Sequence, residues 1–316
     1  MPRWLRALVT AALLVALASR LDWAEFAATA ASVSLVPALG ALVAAQFAMV
    51  VSAYKWTILS RPFDPGFPFP RAARIYYAGA FFGNFLPGSI GGDGYRAYKA
   101  YERLPDKTVA IVPILAERLS GLFFLAAAGA ATASWQYSWR GDAMSGTAAA
   151  IGAAAATGAL LPLLVMRHRT RLLGLLPPLR FGRLRAAALK VSDTVLRYGR
   201  GARLPLAVTL VTAIFYAFLL CGFFLLLRAA GADVGLADLL VAIMLSNLVA
   251  MLPLSINGYG LLDLSFVYLL HNFGASYEDA VLVMALQRGV LLFTSSLGGL
   301  FLLAPSGLSL GGRPRV

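Results

Sequence analysis

Ile75-Tyr-Tyr-Ala-Gly-Ala-Phe-Phe-Gly-Asn-Phe85-Leu-Pro87-Gly-Ser-Ile90-Gly-Gly-Asp93-Gly94 starts as an apolar helix and cannot finish as one. Proline lacks the amide hydrogen that a continuing helix needs, and the clustered glycines favour a turn. A second run, Leu239–Met251, breaks in the same way at Pro253-Leu-Ser-Ile-Asn257-Gly258-Tyr259-Gly260. Irregular backbone inside a membrane is tolerated only where protein buries it or water reaches it. Each break therefore marks a segment that enters and leaves from one side.

The rest of the chain supplies the membrane. Of its 316 residues 60% are hydrophobic and only 13% charged, about half the charge of an ordinary soluble domain. Unbroken apolar windows fall near 4–21, 33–59, 108–135, 146–166, 204–228 and 279–303, each about long enough to span. The expected fold is an all-α polytopic membrane protein with about six full transmembrane helices plus two re-entrant, broken-helix elements.

Charge sets the expected orientation. Residues 167–203 carry ten Lys/Arg against one acid, Asp193, while none occurs from Ala229 to Gln287. Cytoplasmic loops are enriched in Lys and Arg, so the 167–203 segment and the C-terminus are expected in the cytoplasm and 229–287 outside. The net charge of +13 then reflects this rule and anionic lipid, and no nucleic-acid partner is expected. Leu184, Ala188, Val191, Val195 and Tyr198 recur at helical spacing, as in a helix lying on the membrane surface.

The two halves share a pattern. Asp93 is followed 24 residues later by Glu117-Arg118, and Asp263 by Gln287-Arg288 at the same distance. Pro-Xaa-Ser-Ile and paired glycines precede each aspartate. An asparagine precedes each break (Asn84, Asn247), and a basic residue ends each preceding span (Lys55, Arg228). The basic residues around the first break (Arg61, Arg71, Arg74, Arg96, Lys99, Arg103, Lys107) put it on the cytoplasmic side, opposite the second, so this reads as an inverted repeat, an arrangement found in transporters. The expected division is 1–32, first helix and external loop; 33–140, first repeat; 141–203, linking helix and basic segment; 204–305, second repeat; 306–316, tail.

Charged residues inside spans are costly, so they mark function or pairing. The candidate substrate-binding set is Asn84, Gly91, Gly92, Asp93, Arg96, Glu117 and Arg118 in the first unit. In the second it is Asn257, Gly258, Gly260, Asp263, Gln287 and Arg288. The arginines suit a phosphate headgroup through paired donors, and the glycine turns offer backbone N–H groups to an anion. Equally, each Asp–Arg pair can be a structural tie. Arg96 and Lys99 are expected at the cytoplasmic mouth, and Tyr76, Tyr77, Tyr95, Tyr98 and Tyr101 read as an interfacial belt. His168 and His271 have no metal-ligand company, and no cofactor, metal or catalytic constellation is expected.

Asn84-Phe-Leu-Pro-Gly88, Gly91-Gly92-Asp93, Arg96, Glu117-Arg118 with Gly121, and Leu252-Pro253-Leu-Ser-Ile-Asn-Gly258-Tyr-Gly260 together resemble the lysylphosphatidylglycerol synthase transmembrane family, also called the flippase-like domain family. The resemblance runs from about residue 8 to 303. It implies a polytopic bacterial or archaeal inner-membrane protein that flips or handles an amphipathic lipid, anionic or polyprenyl-phosphate-linked. Stand-alone members accompany glycolipid, hopanoid and polyprenyl-sugar pathways, so lipid-biosynthetic enzymes are expected partners. The alternatives are a non-catalytic accessory subunit of such a pathway, or a membrane-embedded lipid-modifying transferase with Asp93 or Glu117 as base. Aminoacyl transfer is not expected, because the chain stops soon after its last span. It also departs from the family's Gly-Xaa-Gly-Xaa-Arg-Glu, reading Gly258-Tyr-Gly-Leu-Leu262-Asp263.

Overall fold

The computed structural model describes residues 3–85, 90–102, 107–167, 202–252 and 258–303, together with 190, 193–195, 198, 254 and 255. Asn257 and most of the basic 167–203 segment lie outside the described residues, as do the Pro87 and Pro253 positions.

The described secondary structure is helical. In chain order the helices are α1 (Arg3–Ser19), α2 (Trp23–Ala31), α3 (Leu35–Ser60), α4 (Phe69–Phe85), α5 (Ile90–Tyr101), α6 (Lys107–Arg140), α7 (Ala143–Arg167), α8 (Arg203–Ala230), α9 (Leu236–Ala250), α10 (Leu261–Asn272) and α11 (Tyr277–Leu303). Among the described residues five helices (α3, α6, α7, α8 and α11) are long and apolar enough to cross a membrane, or six if α1 and α2 form one bent span. At 1.5 Å per residue the 26 residues of α3 reach about 39 Å, enough for the hydrocarbon layer.

Helix ends follow local chemistry. The Asp22 carboxylate accepts the Ala24 and Glu25 amides at 2.9 and 3.1 Å, which starts α2 where an external loop was expected; α2 turns 84° from α1. Gly231, at φ +80°, ends α8 in the left-handed conformation that glycine adopts at no cost.

Both broken segments are helical hairpins, α4 folded on α5 and α9 on α10. The first break is shorter than its sequence indicates. Helix resumes at Ile90, so Gly91-Gly92-Asp93-Gly94 forms the opening turn of α5 and is not loop. Gly92 permits this, since a Cβ there would run into the Gly79 carbonyl of α4. The small residues let the hairpin arms meet backbone to backbone.

Packing repeats across the halves. α3 lies along α8; α4 crosses α11 as α9 crosses α6; α5 packs on α6 as α10 packs on α11. At the first crossing a Cβ on Gly298 would strike the Tyr77 carbonyl, and at the second a Cβ on Gly129 would strike the Met244 side chain. The apolar core, with Leu239, Ile243, Met244, Phe266 and Leu270, gathers where α6, α8, α9, α10 and α11 meet.

Candidate functional site

The first hairpin brings its charges against α6. Asp93 stands in the first turn of α5, Arg96 one turn on, and Glu117 and Arg118 face them from α6. Arg118 donates through Nε and Nη2 to the two oxygens of Asp93 at 3.2 and 3.1 Å, a bidentate pair. Arg96 lies between both acids: Nη1 reaches Asp93 at 3.4 Å and Nη2 donates to Glu117. The Tyr76 hydroxyl donates to the other Glu117 oxygen at 2.6 Å. The result is a chain of alternating charge, Arg118–Asp93–Arg96–Glu117, anchored by Tyr76.

Arg96 is buried, not at the mouth as its sequence position indicates. Its guanidinium carbon sits 4.2 Å from the Tyr76 ring centre and 4.8 Å from that of Trp56. Two aromatic faces and a carboxylate thus take the place of its hydration. Lys99 does sit outside, paired with Glu102 at 2.6 Å, and Glu102 also takes Arg71. Of the five tyrosines read as a belt, Tyr98 and Tyr101 are exposed, while Tyr76 holds Glu117 and Tyr77 donates to Gln46 at 3.2 Å.

The second hairpin repeats the ion pair in tighter form. Arg288 donates through Nε and Nη2 to one oxygen of Asp263 at 2.8 and 2.6 Å. The other oxygen accepts the Gly260 amide at 2.8 Å, tying the turn to α10. Gly260 has φ +79°, and a Cβ there would sit 3.0 Å from Cβ of Leu13 on α1, so position and conformation both require glycine. The Tyr259 ring covers the Arg288 guanidinium at 4.0 Å. Its hydroxyl donates to Asn84 Oδ1 at 2.7 Å, joining the turn before α10 to the last residues of α4. The second turn therefore contacts the helix end that precedes the first break. Gly258, at φ +76°, completes the turn.

Arg118 and Arg288 are each the twelfth residue of their helix, about 17 Å along its axis. Their surroundings differ sharply. The Arg118 side chain is 66% exposed, against 20% for Arg288 and 6% for Asp263. Gln287, which corresponds to Glu117, makes no hydrogen bond or ion pair among the described residues, and Asn247 donates only to its own helix at Ile243 O. The basic residues ending the first span of each unit do not correspond either. Arg228 closes α8 at the surface with Asp233, whereas Lys55 is buried within α3 and donates to Thr212 Oγ1 of α8 at 3.1 Å.

Sequence reasoning missed Tyr76, Trp56, Lys55 and Thr212 as members of the cluster. The available signal was a lysine inside an apolar span, which needs partners. Among the described residues no group of His, Cys, Asp or Glu is arranged to hold a metal ion.

The family model described as "Lysylphosphatidylglycerol synthase TM region" matches residues 3–299, and the chain belongs to that family. It matches no curated protein. It is a multi-pass membrane protein, as membership and five to six spans together require.

Proposed function

We propose that this member of the family moves or handles an amphipathic lipid, with an anionic or polyprenyl-phosphate-linked headgroup, across the inner membrane. The observation that carries the reading is Arg118. It is a guanidinium well inside an apolar helix, oriented by Asp93 yet two-thirds exposed. Such a residue marks a substrate path more often than a packing need. Its planar fork keeps donors free for phosphate oxygens beyond those given to Asp93.

The matched packing of the two units supports reading them as an inverted-topology repeat, with the turn before α10 bonded through Tyr259 to Asn84 at the end of α4. In that reading the first hairpin presents the headgroup site, the paired Asp263–Arg288 hairpin holds the opposite unit, and transport is rocking of one against the other. In this reading the role is non-enzymatic, with Asp93 and Glu117 serving to hold the arginines of the cluster.

Reconstituted protein should accelerate exchange of a headgroup-labelled anionic lipid between leaflets, and Arg118→Gln should reduce the rate to that of protein-free vesicles. Wild-type rates no higher than protein-free vesicles, across phospholipids, glycolipids and polyprenyl phosphates, would overturn the reading. A second reading, an accessory subunit for lipid-biosynthetic enzymes, draws on the closed second unit. Co-purification of such an enzyme with a variant inactive in exchange would favour it.

A further inference from the structure

The two units differ in charge balance. Asp263 and Arg288 cancel. The first unit gathers three cations, Lys55, Arg96 and Arg118, around two carboxylates, Asp93 and Glu117. Lys55 is the surplus. It is 4% exposed, within electrostatic reach of Glu117, Arg96 and Arg118, and its hydrogen-bond partner is a threonine hydroxyl. Thr212 already donates its own proton to Val208 O at 2.7 Å, so it can only accept from Lys55. The lysine nitrogen faces α6 at Gly121, one turn beyond Arg118, where a Cβ would lie 3.9 Å from it.

An unbalanced positive charge in a poorly hydrated cluster is costly and attracts an anion. The open side of the cluster is Arg118. Elsewhere on the same hairpin Arg71 and Lys99 share one acid, Glu102.

We infer that the first unit completes its charge with a phosphodiester headgroup of net negative charge, its phosphate docked on Arg118, and that Lys55 sets this preference for net charge from inside the cluster without touching the ligand. The inference rests on the lipid-handling reading for its ligand but concerns binding alone. Lys55 is thus a specificity-determining residue, while Arg118 makes the contact.

The test is binding of dihexanoyl-phosphatidylglycerol and dihexanoyl-phosphatidylcholine to the full-length protein in neutral detergent, with inorganic phosphate as competitor. Wild type should prefer the anionic lipid by about tenfold, the scale of one unit charge acting over about 10 Å at a protein's effective dielectric. Lys55→Arg should keep the preference. Lys55→Met should bind both lipids within about twofold, and Lys55→Gln, which retains a donor for Thr212, should do the same if the methionine variant does not fold. Competition by phosphate in wild type but not in Lys55→Gln would place a soluble phosphate in the same site and supports the assignment. An undiminished anionic preference in a folded Lys55→Met or Lys55→Gln overturns it. Lost lipid exchange with intact charge discrimination would sink the transport reading and leave this one standing.

Discussion

Arg288 places both Nε and Nη2 on a single oxygen of Asp263, leaving the other oxygen to the Gly260 amide. One carboxylate thereby fixes a helix, a turn and a neighbouring span. Removing one partner leaves the other buried and unpaired, so Asp263→Asn or Arg288→Met should each cost about 3–5 kcal/mol. The double variant should cost less than the sum of the two. Thermal unfolding in detergent, run as a double-mutant cycle, measures both.

The corresponding pair in the first unit is open to its surroundings. Arg118→Gln should therefore change stability by no more than about 1 kcal/mol, while abolishing anionic lipid exchange. A stability loss as large as that of Arg288→Met would make Arg118 a structural tie.

Gly92 is packed against the Gly79 carbonyl, whereas a Cβ at Gly94 would meet nothing within 4 Å. Gly92→Ala should destabilise the α4–α5 hairpin by about 1–3 kcal/mol. Gly94→Ala, two residues along the same helix, should be neutral or slightly stabilising because alanine is the better helix former. Melting temperatures of the two variants give the comparison.

Tyr259→Phe removes the hydroxyl that reaches Asn84 and keeps the ring over Arg288. It should cost about 1 kcal/mol and loosen the contact between the turn before α10 and the end of α4. Faster proteolysis or amide exchange at 80–90 and 255–262 than in wild type would register it.

At the α6–α7 turn the Asp142 carboxylate accepts the Ser145 amide at 2.8 Å and its hydroxyl at 2.9 Å, bonds that hold it below the usual carboxylate range. A depressed folded-state value means that this stabilisation is present above the unfolded value, about 4, and is lost as pH falls through the folded one. Asp142→Ala should lower stability at neutral and alkaline pH and converge with wild type in acid, so that its profile loses less on acidification; thermal unfolding in detergent across pH checks it.

The spans and both breaks were legible because each rests on composition or on proline and glycine, whose effects are local. The Asp–Arg pairs were legible from their shared spacing. The position of Arg96 was not. Three residues after Asp93, it reads as the outward end of a loop, and only the early restart of α5 at Ile90 turns it inward against Trp56 and Glu117. Lys55 was misread for a related reason. The 33–59 window already runs past it, but nothing local reveals that α8 packs alongside α3 there and buries the lysine. Tyr76 shows the same limit, since clustered tyrosines look alike in sequence until neighbouring helices divide them between inside and outside.

The two corresponding crossings, α4 on α11 and α9 on α6, are built from different materials. Gly298 rests on the rigid peptide of Tyr77, while Gly129 rests on the Met244 thioether, a side chain with several soft torsions. One is a hard bearing and the other a cushioned one. If the units rock as proposed, they would pivot about Gly298 and take up their play at Met244, so that matched crossings would give a lopsided stroke.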